Sequence, residues 1–418
     1  MSLQSKKRYT YPLFKLLILS VSFISACDEN EEETVGVAGE SLVAGTEQGG
    51  EIQAGVGGAG EVAGLSAGAE PAGLEGGAMT SGIVAGAVAE EPDLLRGDNL
   101  YQQFCGFCHG SSGEGYLADH ANALSNPDFL STVSDEFLSL ATIHGRPGTP
   151  MSPWGQEKGG PLDASMVRDI VAFIRSWQIE ASVVHPTPSL VGSAQRGRPL
   201  YNAVCASCHG ENGEGVSAVS LNNPWFLETV SDAFIAHAIQ VGRRGTAMSA
   251  YGPPLVNEQG VADLIALIRS WTLPVDMDPP PPFTPQVDQT PLNPEGDEPS
   301  FELREGRFVP AQQVYDALID QRRLTLIDAR PAADYLDEHI DGAISLPFYE
   351  IDNYITELDP QTFTITYCGC PHAVSGQAAD ALIAQGFERV AVLDEGFYEW
   401  RDTFGFPTTS GTQPSAQK

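Results

Sequence analysis

Residues 101–110 read Tyr-Gln-Gln-Phe-Cys-Gly-Phe-Cys-His-Gly, and residues 201–210 read Tyr-Asn-Ala-Val-Cys-Ala-Ser-Cys-His-Gly. Each stretch carries two cysteines with two residues between them and a histidine directly after the second: Cys105, Cys108 and His109, then Cys205, Cys208 and His209. Upstream, Arg96-Gly97 answers Arg196-Gly197 at the same offset of 100. Downstream the match resumes at an offset of 97. There Asn126-Pro127, Phe129, Phe137, Gly145-Arg146, Gly148-Thr149 and Met151-Ser152 pair with Asn223-Pro224, Phe226, Phe234, Gly242-Arg243, Gly245-Thr246 and Met248-Ser249. Both segments close on an amphipathic helical pattern ending Ile-Arg-Ser-Trp, at Trp177 and Trp271. The segment is duplicated, so a role given to one copy must fit the other.

Two thiols at this spacing can add to the two vinyl groups of a haem, which forces the adjacent histidine beneath the ring as proximal ligand. One such motif also suits zinc or a disulfide. Two copies, each followed by a matching methionine, favour haem. Met151 and Met248 sit in Gly-Thr turns rather than on an apolar stripe, so they read as sixth ligands rather than core filling. His144 and His237 are rivals, but neither has a histidine at the aligned position of the other copy. His120 and His185 are unmatched too and read as solvated. The expectation is two covalently bound haem c groups, with iron held axially by His109 and Met151 and by His209 and Met248.

Each copy resembles a class I cytochrome c, the pair covering about 165 residues. The resemblance implies a small all-α fold whose first and last helices pack over one edge of the haem. With both axial positions filled, it implies outer-sphere electron transfer rather than oxygen binding or peroxidase chemistry. It also implies redox partners such as another cytochrome or an oxidase. Two-haem thiosulfate dehydrogenases, which ligate one iron through cysteine, fit poorly, since neither copy has a spare cysteine. The boundaries expected are residues 92–180 and 190–273.

A proline-rich spacer covers residues 274–300, and residues 301–410 change period. Strand patterns at 325–329, 343–346, 363–367 and 390–393 alternate with helical ones near 311–321, 349–358 and 375–385, before a final helix, which predicts an α/β parallel sheet. The stretches Ile327-Asp328-Ala329-Arg330-Pro331, His339-Ile340-Asp341-Gly342, Thr366-Tyr367-Cys368 and Leu393-Asp394-Glu395-Gly396 resemble the rhodanese domain. In that family a cysteine at a strand end opens an anion-binding loop that leads into a helix, and it accepts sulfane sulfur as a persulfide. The loop here reads Cys368-Gly369-Cys370-Pro371-His372-Ala373-Val374-Ser375. It is one residue longer than in common rhodaneses and resembles the C-x5-R loop of phosphatases and arsenate reductases. Val374 stands at the arginine position, so a phosphate or arsenate dianion lacks its clamp. Sulfur chemistry at Cys368 is therefore expected, on a small sulfur compound. Cys370 either resolves a persulfide there or is itself the nucleophile. The alternative is a pure electron carrier whose rhodanese-like domain is a non-catalytic binding module, its two thiols closed as a disulfide. Asp328, Arg330 and His339 read as structural.

Residues 1–26 contain no acid and place Lys6, Lys7, Arg8 and Lys15 before the apolar run at 16–24, a signal peptide too short to span a bilayer. Ile24-Ser25-Ala26-Cys27 resembles the lipobox of bacterial lipoproteins, which implies lipidation of Cys27 and an anchored protein facing the periplasm or the cell surface. The alternative is simple cleavage near Ala26. Residues 27–91, rich in Gly, Ala and Glu, read as a disordered tether. The net charge of −33 excludes nucleic acid as a partner and favours proteins with a basic docking face.

Overall fold

The computed structural model describes residues 91–116, 121–183, 186, 189–275, 280, 283–369 and 372–412. Residues 1–26, read above as a signal peptide, Cys27, residues 28–90 of the segment read as a tether, His120, His185 and Cys370 lie outside the described residues.

The first copy comprises α1 (Leu94–Phe104), α2 (Gly106–His109), α3 (Pro127–Leu130), α4 (Asp135–His144) and α5 (Ala164–Arg175). The second repeats it as α6 (Ala194–Val204), α7 (Ala206–His209), α8 (Pro224–Thr229), α9 (Asp232–Val241) and α10 (Glu258–Arg269). The Asp93 and Asp163 carboxylates accept amide N–H groups at the N-termini of α1 and α5, groups with no intrahelical partner. The first and last helices cross at Gly97, where a Cβ would lie 2.2 Å from the Asp169 carbonyl oxygen; at Gly197 it would lie 2.2 Å from that of Asp263. Only glycine permits that approach. Arg96 pairs with buried Asp169 beside one crossing, and Arg196 with Asp263 at 2.6 Å beside the other. The terminal tryptophans close the same end: Trp177 meets Tyr101 edge-on at 5.0 Å and Trp271 meets Tyr201 at 5.2 Å.

The copies face each other across a pseudo-two-fold axis. Asn126 donates from Nδ2 to the Arg244 carbonyl at 2.8 Å, and Asn223 donates to the Pro147 carbonyl at 3.0 Å. Residues 126 and 147 correspond to 223 and 244 in the repeat, so the two bonds are reciprocal. The rings repeat the pattern: Phe129 meets Phe234 at 6.2 Å, Phe226 meets Phe137 at 6.3 Å, and Phe137 stacks on its own counterpart Phe234 at 5.7 Å. A duplicated chain thus packs as an internal isologous dimer.

The C-terminal domain carries β1 (Phe308–Val309), α11 (Ala311–Ile319), β2 (Thr325–Asp328), α12 (Ala332–Asp337), β3 (His339–Ile340), β4 (Ile344–Ser345), α13 (Ile351–Tyr354), β5 (Thr364–Tyr367), α14 (Val374–Ala384), β6 (Val390–Leu393), α15 (Gly396–Tyr398) and β7 (Thr408–Thr409). Five strands form a parallel sheet ordered β1-β6-β5-β2-β4, as the alternating periods predict. The expected final helix is only the single turn of α15, which runs on into a short π-helical segment. The β3–β7 pair, two residues a side, is too short to show in a hydropathy pattern. Within the proline-rich stretch, residues 283–300 lie on this domain: Phe283 packs on Tyr335 and Leu292 bridges to Leu324. One hydrophobic core runs through both copies and into one face of the sheet, while a second fills the other face.

Candidate functional site

α2 and α7 are single turns that present each Cys-x-x-Cys-His run. His109 and His209 are buried, and their Nδ1 atoms lie 2.9 Å from the carbonyls of Asn122 and Val219. A carbonyl only accepts, so each Nδ1 carries the proton and Nε2 keeps the lone pair a metal needs. Burial, partly offset by that backbone bond, pushes both imidazoles below their usual value and keeps them neutral. Burial also pushes the Cys105 thiol up to about 12 and the Cys205 thiol up to about 11. Such surroundings favour an uncharged sulfur, as in a thioether, over a thiolate ligand. Among the described residues no cluster of three or more His, Cys, Asp and Glu side chains converges as an ion site.

The methionine loops are built identically. In the first, the Arg146 amide donates to the Met151 carbonyl at 2.7 Å, while Thr149 Oγ1 donates to the Arg146 carbonyl at 2.7 Å and accepts the Met151 amide at 3.3 Å. In the second the matching distances are 2.8, 2.9 and 3.1 Å, through Arg243, Thr246 and Met248. The loop starts at a glycine with positive φ, +59° at Gly145 and +75° at Gly242, where a Cβ would lie 2.4 Å from the methionine carbonyl oxygen. The Gly-Arg-x-Gly-Thr-x-Met pattern is therefore a hydrogen-bonded return that fixes the methionine backbone.

Sequence reasoning gave Arg146 and Arg243 no role. Burial lowers both guanidinium groups to about 10. Each lies over a phenylalanine of the axis, Phe137 at 5.3 Å and Phe234 at 5.0 Å. Each donates from Nη1 to the preceding glycine carbonyl, Gly145 at 2.8 Å and Gly242 at 3.1 Å, and Asp128 attracts Arg243; the remaining donors of each half-buried guanidinium suit a ligand that carries carboxylates. Haem has two, and with the paired thiols and the neutral imidazole the residues fit it. The rival His144 is otherwise engaged: it stacks on Trp225 at 3.8 Å, with Nε2 3.4 Å from Glu157.

Cys368 ends β5 and is buried, its Sγ 3.1 Å from Ser375 Oγ at the start of α14. Thr366 Oγ1 donates to the Ser375 carbonyl at 2.9 Å, which ties the strand to the helix. Val374 opens that helix, and His372 turns outward with φ +69°, stacking on Phe308 at 3.8 Å with Nε2 2.9 Å from Asp394. Asp328 and Arg330 form a buried bidentate pair, and His339 stacks on Tyr335 at 3.6 Å, both structural arrangements.

The Cys368 loop abuts the first methionine loop. Tyr398 donates its hydroxyl to the Thr149 carbonyl at 2.6 Å. A Cβ on Gly369 would lie 2.9 Å from the Tyr398 ring and 3.4 Å from Pro150 Cα. Ser152 hydrogen-bonds Asp334 across the same junction, and Phe348 packs against Phe104 at 5.8 Å and Trp154 at 6.2 Å. The Phe348, Tyr398 and Asp334 contacts went unread because they join segments about 200 residues apart, beyond any local pattern.

Comparison with known proteins places both halves. Residues 92–174 and 192–268 match the model of cbb3-type cytochrome c oxidase subunit III, and residues 311–403 match that of the rhodanese-like domain. The cbb3-type cytochrome c oxidase subunit FixP of Azorhizobium caulinodans is 28% identical over 179 residues, covering 40% of this chain and 58% of the relative. The thiosulfate sulfurtransferase GlpE of Pseudomonas fluorescens is 33% identical over 111 residues, covering 26% of this chain and 98% of the relative. An HTH-type transcriptional regulator of Mycobacterium tuberculosis is 33% identical over 88 residues, covering 21% of this chain and 38% of the relative. The chain thus spans 38% and 58% of two of these relatives and nearly all of the third. Through residues 311–403 it belongs to the rhodanese-like family, and it carries ahead of that domain two cytochrome c domains of the cbb3-oxidase subunit III type.

Proposed function

We propose that the chain is a dihaem electron-transfer protein, with domains at residues 92–180, 190–273 and 301–410, whose rhodanese-like domain binds or transfers sulfane sulfur at Cys368. Haem c, when bound, supplies one-electron chemistry at iron. Cys105 and Cys108, and Cys205 and Cys208, would anchor the two groups, His109 with Met151 and His209 with Met248 would hold the iron of each, and Arg146 and Arg243 would pair with their carboxylates. The observation that carries this reading is duplication at the level of bonds: each copy ties its histidine Nδ1 to a carbonyl at 2.9 Å and rebuilds the same methionine loop. The signal-peptide and lipobox patterns support export and a lipid anchor at Cys27. Among the described residues no helix is long and apolar enough to cross a membrane.

A second reading, an electron carrier with a non-catalytic rhodanese-like domain, draws support from Val374 at the arginine position and from His372 turned towards Asp394. Three measurements decide between them. A pyridine haemochrome titration should give two haems per chain; one or none would sink the dihaem reading. The oxidised protein is then treated with thiosulfate or polysulfide beside its Cys368→Ala variant. Haem reduction that is lost in the variant establishes that Cys368 passes electrons from sulfur compounds to the haems, and identical traces remove that role; a sulfur atom gained at Cys368, read by mass spectrometry, then decides whether the domain transfers sulfane sulfur or is the non-catalytic module of the second reading.

A further inference from the structure

We propose that Cys368 is coupled to the first haem site and not to the second, and that Tyr398 is the positioning residue that joins them. The inference rests on the dihaem reading and goes beyond it by selecting one of two otherwise equivalent sites. A short, stiff chain of contacts leads from one loop to the other. The Phe397 amide donates to the Cys368 carbonyl at 2.9 Å, which fixes α15 against the end of β5. Tyr398, the next residue, presses its ring on Gly369 and donates its hydroxyl to the Thr149 carbonyl at 2.6 Å. Thr149 is the residue whose side chain accepts the Met151 amide at 3.3 Å. A side chain at position 369 would collide with the Tyr398 ring, so glycine is what allows the two loops to touch.

An aromatic cluster packs beside this contact: Phe104, Trp154, Phe348 and Tyr349 interlock. Close-packed contacts of this kind transmit displacement instead of absorbing it. The second copy has the same internal loop bonds, but Ala247, Ser249 and Ala250, the counterparts of Pro150, Ser152 and Pro153, are exposed. Every cross-domain bond and ring contact described above falls on the first copy. A change in the chemical state of Cys368, whether persulfide, disulfide or substitution, therefore moves the Met151 loop and leaves the Met248 loop in place.

Proton NMR of the haem-loaded, ferrous full-length chain tests this, because the methyl group of an axial methionine gives a resolved signal for each site. Met248→His removes one signal and so assigns both. In Cys368→Ser, and in Cys368→Ala as a second variant, the Met151 methyl signal should move while the Met248 signal stays. Adding Tyr398→Phe should shrink that displacement at least about threefold, the non-additivity expected of coupled neighbours. Equal movement of both signals, or movement of neither, overturns the proposal. Mass spectrometry of thiosulfate-treated protein judges the sulfur reading separately. A sulfur atom gained at Cys368 supports that reading and its absence sinks it, while the NMR comparison decides the coupling in either case.

Discussion

Phe104, Cys105 and Gly106 are buried in the first cytochrome copy, whereas their counterparts Val204, Cys205 and Ala206 are only partly so in the second. Along the methionine loop Ser152, Pro153 and Trp154 are buried, while Ser249 and Ala250 are exposed and Tyr251 is half-buried. The scaffold beneath is the same in both, down to the glycine at the helix crossing and the threonine in the loop. What differs is the neighbour. The rhodanese-like domain covers this face in the first copy, so the surroundings of a site are set by packing that the motif itself does not specify.

The largest effect is expected where the copies are most alike. Gly97→Ala and Gly197→Ala each drive a Cβ into a backbone carbonyl 2.2 Å away, which no rotamer change relieves. Each should cost more than about 3 kcal/mol and disrupt its own copy. Thermal melts and haem content check this. Gly148→Ala, with no atom within 4 Å but φ +80°, should cost only about 1 kcal/mol. Equal losses at 97 and 148 would show that the crossing is less tight than described.

The next change removes the difference between the copies. Phe348 sits between Phe104 and Trp154 and is 8% exposed. Phe348→Ala should cost about 3 kcal/mol through the cavity it leaves. It also lets water reach the first site. Burial disfavours the extra positive charge of ferric iron, so with a haem bound at each proposed site the one beneath the rhodanese-like domain should have the higher potential. In the variant that potential should fall towards that of the second haem, which should not move. Potentiometric titration reads both. A fall at both sites would mean that cover is not what separates them.

A titratable group lies in the same junction. Burial raises the Asp334 carboxyl to about 6, against the lowering pull of Arg330 and Ser152, with Asp328 and Asp337 adding to the rise. Unfolded, it should titrate near its ordinary value of about 3.9. The folded chain therefore holds more protons between those two values, and stability falls as pH rises through them, by about 3 kcal/mol at pH 7. Asp334→Asn should remove that slope and stabilise the junction above pH 6. Denaturant melts across pH 4–8 check it, and a slope unchanged in the variant would place the titration elsewhere.

Much of the fold was legible because it is local or repeated. The Cys-x-x-Cys-His runs, the Gly-Thr-x-Met turns and the alternating strands from Thr325 onward each declare themselves within a few residues. The duplication showed that Asn126, Phe137 and Arg146 matter, but not how, since each acts on a partner across the axis or on a ligand. Asn126 meets residue 244, over a hundred positions away. Tyr398 and Phe348 have no counterpart in a repeat and no motif; only docking gives them a role. The loop around Cys368 could be read as chemistry, yet nothing local says which cytochrome copy it faces.

The smallest effect tests the axis itself. Asn126 and Asn223 each do two jobs: Oδ1 accepts amides at the N-terminus of α3 or α8, and Nδ2 reaches the other copy. Serine caps a helix about as well as asparagine, so Asn→Ser keeps the first job and deletes the second. Both asparagines are buried, so each carbonyl left without its donor should cost about 1 kcal/mol. The rest of the interface is not symmetric: Asp128 pairs with Arg244 at 2.8 Å, whereas the aligned positions hold Trp225 and Pro147. If the reciprocal bonds contribute as a matched pair, Asn126→Ser and Asn223→Ser should lower stability equally, and the double variant by their sum. A clearly larger cost at Asn126 would mean that the Asp128–Arg244 ion pair, one-sided and next to it, governs how the two copies dock.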